Sequence, residues 1–146
     1  MDSWMPKRSW LMLEASGLRP LEIKSKRILP IVQGGMGVGV SAHNLAGTVA
    51  KMGGMGTISS IDLRRLHPDL MKKTQHLLPS EHSKRVINEA NIEALTREIQ
   101  QAKDIAQGQG LVAVNVMRAV KEYAAYVKCS LENHADAIVV GAGLPL

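Results

Sequence analysis

Residues 31–41 read "IVQGGMGVGVS". An apolar run ends at Gln33, and Gly34, Gly35, Gly37 and Gly39 follow within a few positions. Ser41 then stands where a helix begins. Bare backbone between a strand and a helix serves one of two ends. It forms a turn that cradles a phosphate, or it lets the main chain lie close against a flat ring.

Outward from this stretch, "ILPIVQ" at 28–33 is a short apolar run ending at glycines, which predicts a buried strand. Pro30 places regular pairing after it. Ser41 is the expected N-cap of a helix carrying Ala42, Leu45, Ala46, Val49 and Met52 at helical spacing, with Gly53 just past its end. "MGTIS" at 55–59 is a second strand. A long basic connection at 60–82 holds Pro68 and Pro79 and a helical turn near 68–75. The next helix covers about 83–107, with an apolar face of Ile92, Leu95, Ile99, Ala102 and Ala106, and "GQG" ends it. "LVAVNV" is a third strand. Val120, Tyr123, Val127 and Leu131 mark another helix, and "DAIVVGAG" is a fourth strand. Residues 1–27 form a lead-in segment with one short helix near 8–15.

Strands therefore alternate with helices, and they are short and rich in Val and Ile. That pattern predicts an α/β fold with a parallel sheet buried on both faces. Right-handed crossovers bring the segments after Gln33, Ser59, Asn115 and Gly141 to one rim, the carboxyl end of the sheet. Ligands bind at that rim in open sheets and barrels alike.

Composition narrows the classes. The chain has 146 residues, 45% hydrophobic and 21% charged, which suits one globular domain. Phe is absent, so Leu, Ile, Val, Ala and eight Met must fill the core. The net charge of +5 is scattered and not interleaved with aromatics, which argues against nucleic acid. The apolar stretch "WLML" is too short for a signal-peptide core, and no run approaches a membrane span. Cys129 is the single cysteine and reads as a structural thiol, so a reducing, cytoplasmic setting is expected. The five His lack metal-site spacing and read as surface or loop residues, so no metal is expected.

Two readings of the glycine stretch are weighed. Gly37, Gly39 and Ala42 satisfy G-x-G-x-x-A, and Asp62 lies where a ribose-binding acid of a dinucleotide fold would sit. Against this, residues 33–36 make the turn longer than that motif needs. Asn115 also interrupts an otherwise apolar third strand near its ligand end. Its amide either caps the following turn or hydrogen-bonds a planar heterocycle.

Three blocks carry a resemblance: "PIVQGGMGVGVSAHNLAGTVAKMGGMGTIS", "AVNVM" and "ADAIVVGAGLP". In this order, each at a strand end, they resemble the nitronate monooxygenase family, formerly 2-nitropropane dioxygenases, which are FMN-dependent TIM barrels. Related FMN-dependent enoyl-acyl-carrier reductases share the blocks. The resemblance implies FMN as cofactor. Gly34, Gly35, Met36 and Gly37 would lie against its ring, Asn115 would hydrogen-bond it, and Ser59 and Gly141 would stand beside it. Ala142 and Gly143 would line the substrate side of the pocket.

A (β/α)8 barrel runs to about 250 residues. The expectation is thus a first half-barrel of about four strands over 28–146, cut after strand four. The family's catalytic histidine would lie beyond residue 146, so no catalytic residue is assigned. None of His43, His67, His76, His82 or His134 falls in a matching block. FMN binding should be weak and catalysis absent or slight, and unpaired edges should invite a homo-oligomer. The implied activity is oxidation of alkyl nitronates by oxygen. Reduction of an enoyl thioester is the first alternative, and a non-catalytic remnant the second. The basic connection could draw an acidic substrate or carrier through Arg64, Arg65, Lys72 and Lys73, or be a solvated insertion.

Overall fold

The computed structural model describes residues 7–23 and 25–144. Helix α1 (Lys7–Ser16) leads into a tight antiparallel hairpin, β1 (Leu21–Ile23) with β2 (Lys26–Ile28). Three parallel strands follow in chain order across one sheet: β3 (Met55–Ser59), β4 (Leu111–Met117) and β5 (Ala137–Gly141). Between them run α2 (His43–Lys51), a 3-10 turn (Leu63–Leu66), α3 (Pro68–Thr74), α4 (Glu81–Ala106) and α5 (Tyr123–Glu132). The chain is a mixed α/β fold with a parallel sheet. Its described residues form an open sheet, not a closed barrel.

The expected first strand is the main departure. Ile28 pairs antiparallel with Leu21 inside the hairpin, and the hairpin crosses the expected boundary after residue 27. Only Val32 bridges Met55 in parallel. The Ile31 carbonyl accepts from the Met55 N–H at 2.9 Å, and the Gln33 N–H donates to the Met55 carbonyl at 2.9 Å. The ladder then stops, but the Gln33 side chain continues it: its Oε1 accepts the Thr57 N–H at 2.9 Å. An amide side chain thus satisfies the donor that a longer strand would have met, and the main chain is released into the glycine turn.

Ser41 is not a helix cap. Ala42 holds the N-cap position, without a side-chain bond. Ser41 is fully buried, and its Oγ accepts from the Met36 N–H at 2.8 Å and donates to the Gly34 carbonyl at 3.1 Å. The hydroxyl therefore closes the glycine turn on itself. Ser80, by contrast, caps α4 by accepting the Ser83 N–H at 3.0 Å.

Strand alternation splits the sheet into two faces. Ile58, Val112, Val114 and Val116 meet Leu95, Ile99 and Ala102 of α4 and the small residues Ala46 and Ala50 of α2. Gly56 is what allows α2 so close, since a Cβ there would lie 1.8 Å from the Ala46 carbonyl oxygen. On the other face Met55, Leu111 and Ala113 pack beneath Ile28, Leu21 and Ile23 of the hairpin. Both faces are covered, as the continuous apolar strands required.

The predicted face of α5 is partly corrected. Leu131 is exposed and Val120 precedes the helix, while Tyr126, Cys129 and Ser130 point inward. Cys129 is buried, as expected of a structural thiol. The connection at 60–82 is more than a solvated insertion. Leu63 and Leu70 are fully buried against the α4 layer, while Arg65, Lys72 and Lys73 stay exposed.

Candidate functional site

Register places the polar residues of the hairpin-side face at one end. Ser59 pairs with Asn115, Asn115 with Val139, and Met117 with Gly141. Below them the same face is small or apolar, with Thr57, Ala113 and Ala137 in one layer. The strand ends beyond Ser59, Asn115 and Gly141 thus form the carboxyl rim.

The glycine turn arches over this rim. A Cβ on Gly35 would fall 2.7 Å from the Asn115 Cβ and 3.2 Å from its Cγ, so the Gly35 backbone rests directly on the Asn115 side chain. A Cβ on Gly37 would meet the Ser59 Oγ at 3.3 Å and the Ile61 Cβ at 3.5 Å. One on Gly141 would meet the Asn115 Nδ2 at an ordinary 3.6 Å. The turn, Ser59, Asn115 and Gly141 therefore converge.

These glycines answer to different demands. The bareness of Gly35 is used by Asn115, and that of Gly39 by Leu66, whose Cδ2 would lie 2.6 Å from an added Cβ. Gly34 has nothing within 4 Å of its Cβ position and no positive φ. Neither packing nor backbone conformation within the chain calls for a glycine there. Its carbonyl accepts from Ser41 and from the Gln33 amide, which holds the turn while the Cα faces open space.

Asn115 is partly buried. Its Nδ2 donates to the Val139 carbonyl at 3.3 Å, and that carbonyl lies on β5, not in the following turn. The side chain is thus a cross-strand clamp and not a turn cap. Met36 is half exposed over the rim, with Val38 and Val40 as further apolar cover. Ala142, just past β5, has φ 53, the left-handed region that L side chains rarely adopt. Gly143 follows at φ 142, where an added Cβ would lie 3.0 Å from the Arg118 Cβ.

Arg118 is the rim residue that sequence reasoning missed. Its N–H donates to the Gly141 carbonyl at 2.8 Å, and its guanidinium stands 5.0 Å from the Tyr123 ring centroid. Its Nε is buried without a hydrogen-bond partner, and no carboxylate pairs with it among the described residues. A cation at the end of β4 was visible in the sequence. What hid it was the absence of any local cue that its charge would go unanswered.

The dinucleotide reading loses its ribose-binding acid and meets the wrong strand order. Asp62 is held by Arg64 Nε at 3.2 Å and by Arg65, so its carboxylate is already engaged. The fourth strand, β5, lies beside the third, whereas a doubly wound dinucleotide sheet turns back to set its fourth beside its first. Two histidines also depart from the surface reading: His43 and His67 flank the fully buried Glu98. Among the described residues, no group of three or more His, Cys, Asp or Glu is arranged to hold a metal ion, and no helix is long and apolar enough to cross a membrane. A separate groove between α4 and α5, lined by Glu81, Lys84, Arg85, Lys121 and Glu122, includes none of the rim residues.

Fold and rim together define a parallel α/β unit whose strand ends carry a hydroxyl and an amide under a glycine-rich turn, with the Arg118 guanidinium stacked on Tyr123 just past β4. No family model matches the chain, and no curated protein sequence matches it.

Proposed function

We propose that this chain supplies the flavin-facing strand ends of an FMN-dependent oxidoreductase that oxidises alkyl nitronates with oxygen, as a soluble cytoplasmic protein. Its units would be the first four of a (β/α)8 barrel. The observation that carries the reading is Gly34, a glycine with no internal reason to be one, in a turn resting on Asn115. A flat ring lying on that turn supplies the missing reason.

The residues present fit such a ring. Gly34, Gly35, Met36 and Gly37 would form its floor, with Met36 a soft contact. Asn115, clamped to Val139 through its Nδ2, keeps its Oδ1 to accept from a ring N–H. Ser59 and Gly141 would border the ring, and Ala142 and Gly143 the substrate. FMN held by these residues would supply the redox chemistry between nitronate and oxygen, with the chain's own residues binding and orienting it. Arg118 would attract the anionic nitronate and orient it by its unpaired guanidinium. The proton-handling histidine of the resemblance is expected after the fourth strand.

The exposed cations of the basic connection favour a second reading, reduction of an enoyl thioester on an acidic carrier. Oxygen uptake with ethyl nitronate, against NAD(P)H oxidation with an enoyl thioester, separates the two.

The direct test is equilibrium dialysis of FMN against the chain and its Gly34→Val variant. The introduced isopropyl group would project into open space, so the melting temperature should hold while flavin retention falls. Equal retention by both proteins, or none by the parent at millimolar flavin, would sink the reading.

A further inference from the structure

Glu98 is the only fully buried carboxylate among the described residues. It projects from the middle of α4 between two segments that leave the carboxyl rim. Its Oε2 accepts the backbone N–H of His43 at 2.7 Å and meets His43 Nδ1 at 2.8 Å. Its Oε1 lies 3.1 Å from His67 Nε2, a polar contact whose angles fall short of a good hydrogen bond.

The surrounding charges are committed elsewhere. Arg97, the neighbour of Glu98 on α4, pairs with Asp69 and Glu93. Arg64 pairs with Asp62. No lysine or arginine reaches Glu98 among the described ion pairs. A carboxylate without water is costly unless its lone pairs are met. Here Oε2 is met by the first N–H of α2 and by the His43 imidazole, while Oε1 has only the 3.1 Å polar contact with His67 Nε2.

His43 opens the helix that follows the glycine turn. His67 sits between the 3-10 turn and α3, in the connection after β3. The two rim segments share no strand, yet they meet at one side chain of α4.

We propose that Glu98 is a positioning residue that ties the glycine turn to the basic connection, so that order imposed on one is felt by the other. The tie rests on the proposed flavin reading only for what occupies the turn. An aliphatic residue at 98 would fill the volume but could not hold an N–H and two imidazoles. Because each oxygen serves one segment, removing one imidazole loosens its own arm most and the other less, and removing the carboxylate loosens both fully.

Amide hydrogen exchange on the full chain tests this. Without flavin, His67→Ala should speed exchange over 62–74 by about tenfold, as loss of one polar contact to a charge implies, and over 43–51 by a smaller factor, because the coupling is reciprocal. Glu98→Ala should speed both segments. With FMN added, the parent should gain protection over 62–74 as well as around the glycine turn, and His67→Ala should gain it around the turn alone. Uniform acceleration across the molecule in His67→Ala, or no change over 62–74, would overturn the tie. Protection over 62–74 by FMN that survives in His67→Ala would also overturn it. If FMN protects nothing in the parent, the flavin reading fails, while the flavin-free exchange still decides the tie. Should Glu98→Ala fail to fold, the His67→Ala comparison stands by itself.

Discussion

Gly34 and Gly35 are adjacent, yet the structure gives them different tasks. An alanine at 35 would press its methyl into Asn115, 2.7 Å from that residue's Cβ, so the turn or the amide must shift. Gly35→Ala should therefore cost stability of about 1–3 kcal/mol, typical of overpacking, in a urea titration. Gly34→Ala meets nothing and should leave the urea midpoint unchanged or slightly raised. Arg118→Met keeps the length and apolar bulk of the side chain and removes its charge. If the cation attracts a nitronate, binding of ethyl nitronate to the FMN-loaded chain should weaken several-fold in equilibrium dialysis, and its sensitivity to added salt should fall. Unaltered binding would remove Arg118 from the substrate site. In the sequence all four glycines of the turn look equivalent. They differ only in what chain distant in sequence brings against them.

At the scale of the elements, two devices hold the rim-bearing connections in place. Gln33 ends its strand by lending a side-chain carbonyl to the Thr57 N–H. Gln33→Ala leaves that buried donor unmet, and the expected loss is about 1–3 kcal/mol in thermal or chemical unfolding. The basic connection is pinned at α3 by a two-pronged pair, Arg97 to Asp69 at 3.0 and 2.8 Å. The Arg97 hydrogen bond and charge hold the Asp69 carboxyl down at about 2, against an ordinary 3.8. A carboxyl depressed in the folded state stabilises it above the unfolded value and loses that contribution as acid protonates it. Melting temperature should thus fall between about pH 4 and 2, and Asp69→Asn should flatten that limb. The effect will be small, because the pair is solvent-exposed and screened. Helix α5 supplies the alkaline counterpart. Burial, and secondly the Glu122 charge, push Tyr126 up to about 12. Its neutral form is favoured in the fold, so stability should decline above pH 10 toward 12. Tyr126→Phe should remove that decline.

For the whole molecule, the sheet's winding matters more than its size. Val32, β3, β4 and β5 run side by side in chain order, with helices packed on one face and a hairpin on the other. Core loss should be felt globally. Ile99→Ala, at the buried seam of α4 with the sheet, is expected to cost about 2–5 kcal/mol in denaturant unfolding. The outer edge of β5 pairs with no strand among the described residues. Self-association through such edges should appear as a mass that rises with concentration in light scattering.

The sequence by itself was enough for the elements that depend on neighbours a few positions apart. It placed β3 at 55–59, α4 by its apolar spacing, and its stop at the glycines that begin with Gly108, which lies in the left-handed region, as does Gln107 one residue earlier. It also brought Gly34, Ser59, Asn115 and Gly141 to one rim, because a handed crossover carries strand ends to a fixed side. It missed the hairpin, gave Ser41 the wrong task, and read His43 and His67 as surface or loop groups without seeing that both meet a buried carboxylate. Those outcomes rest on contacts such as Ser41 with Met36 and Glu98 with two histidines, and the latter join side chains far apart along the chain. Periodicity and capping are local free-energy preferences, legible along the chain. Which buried oxygen meets which donor is settled only when packing excludes water and each polar group must find a partner inside the fold.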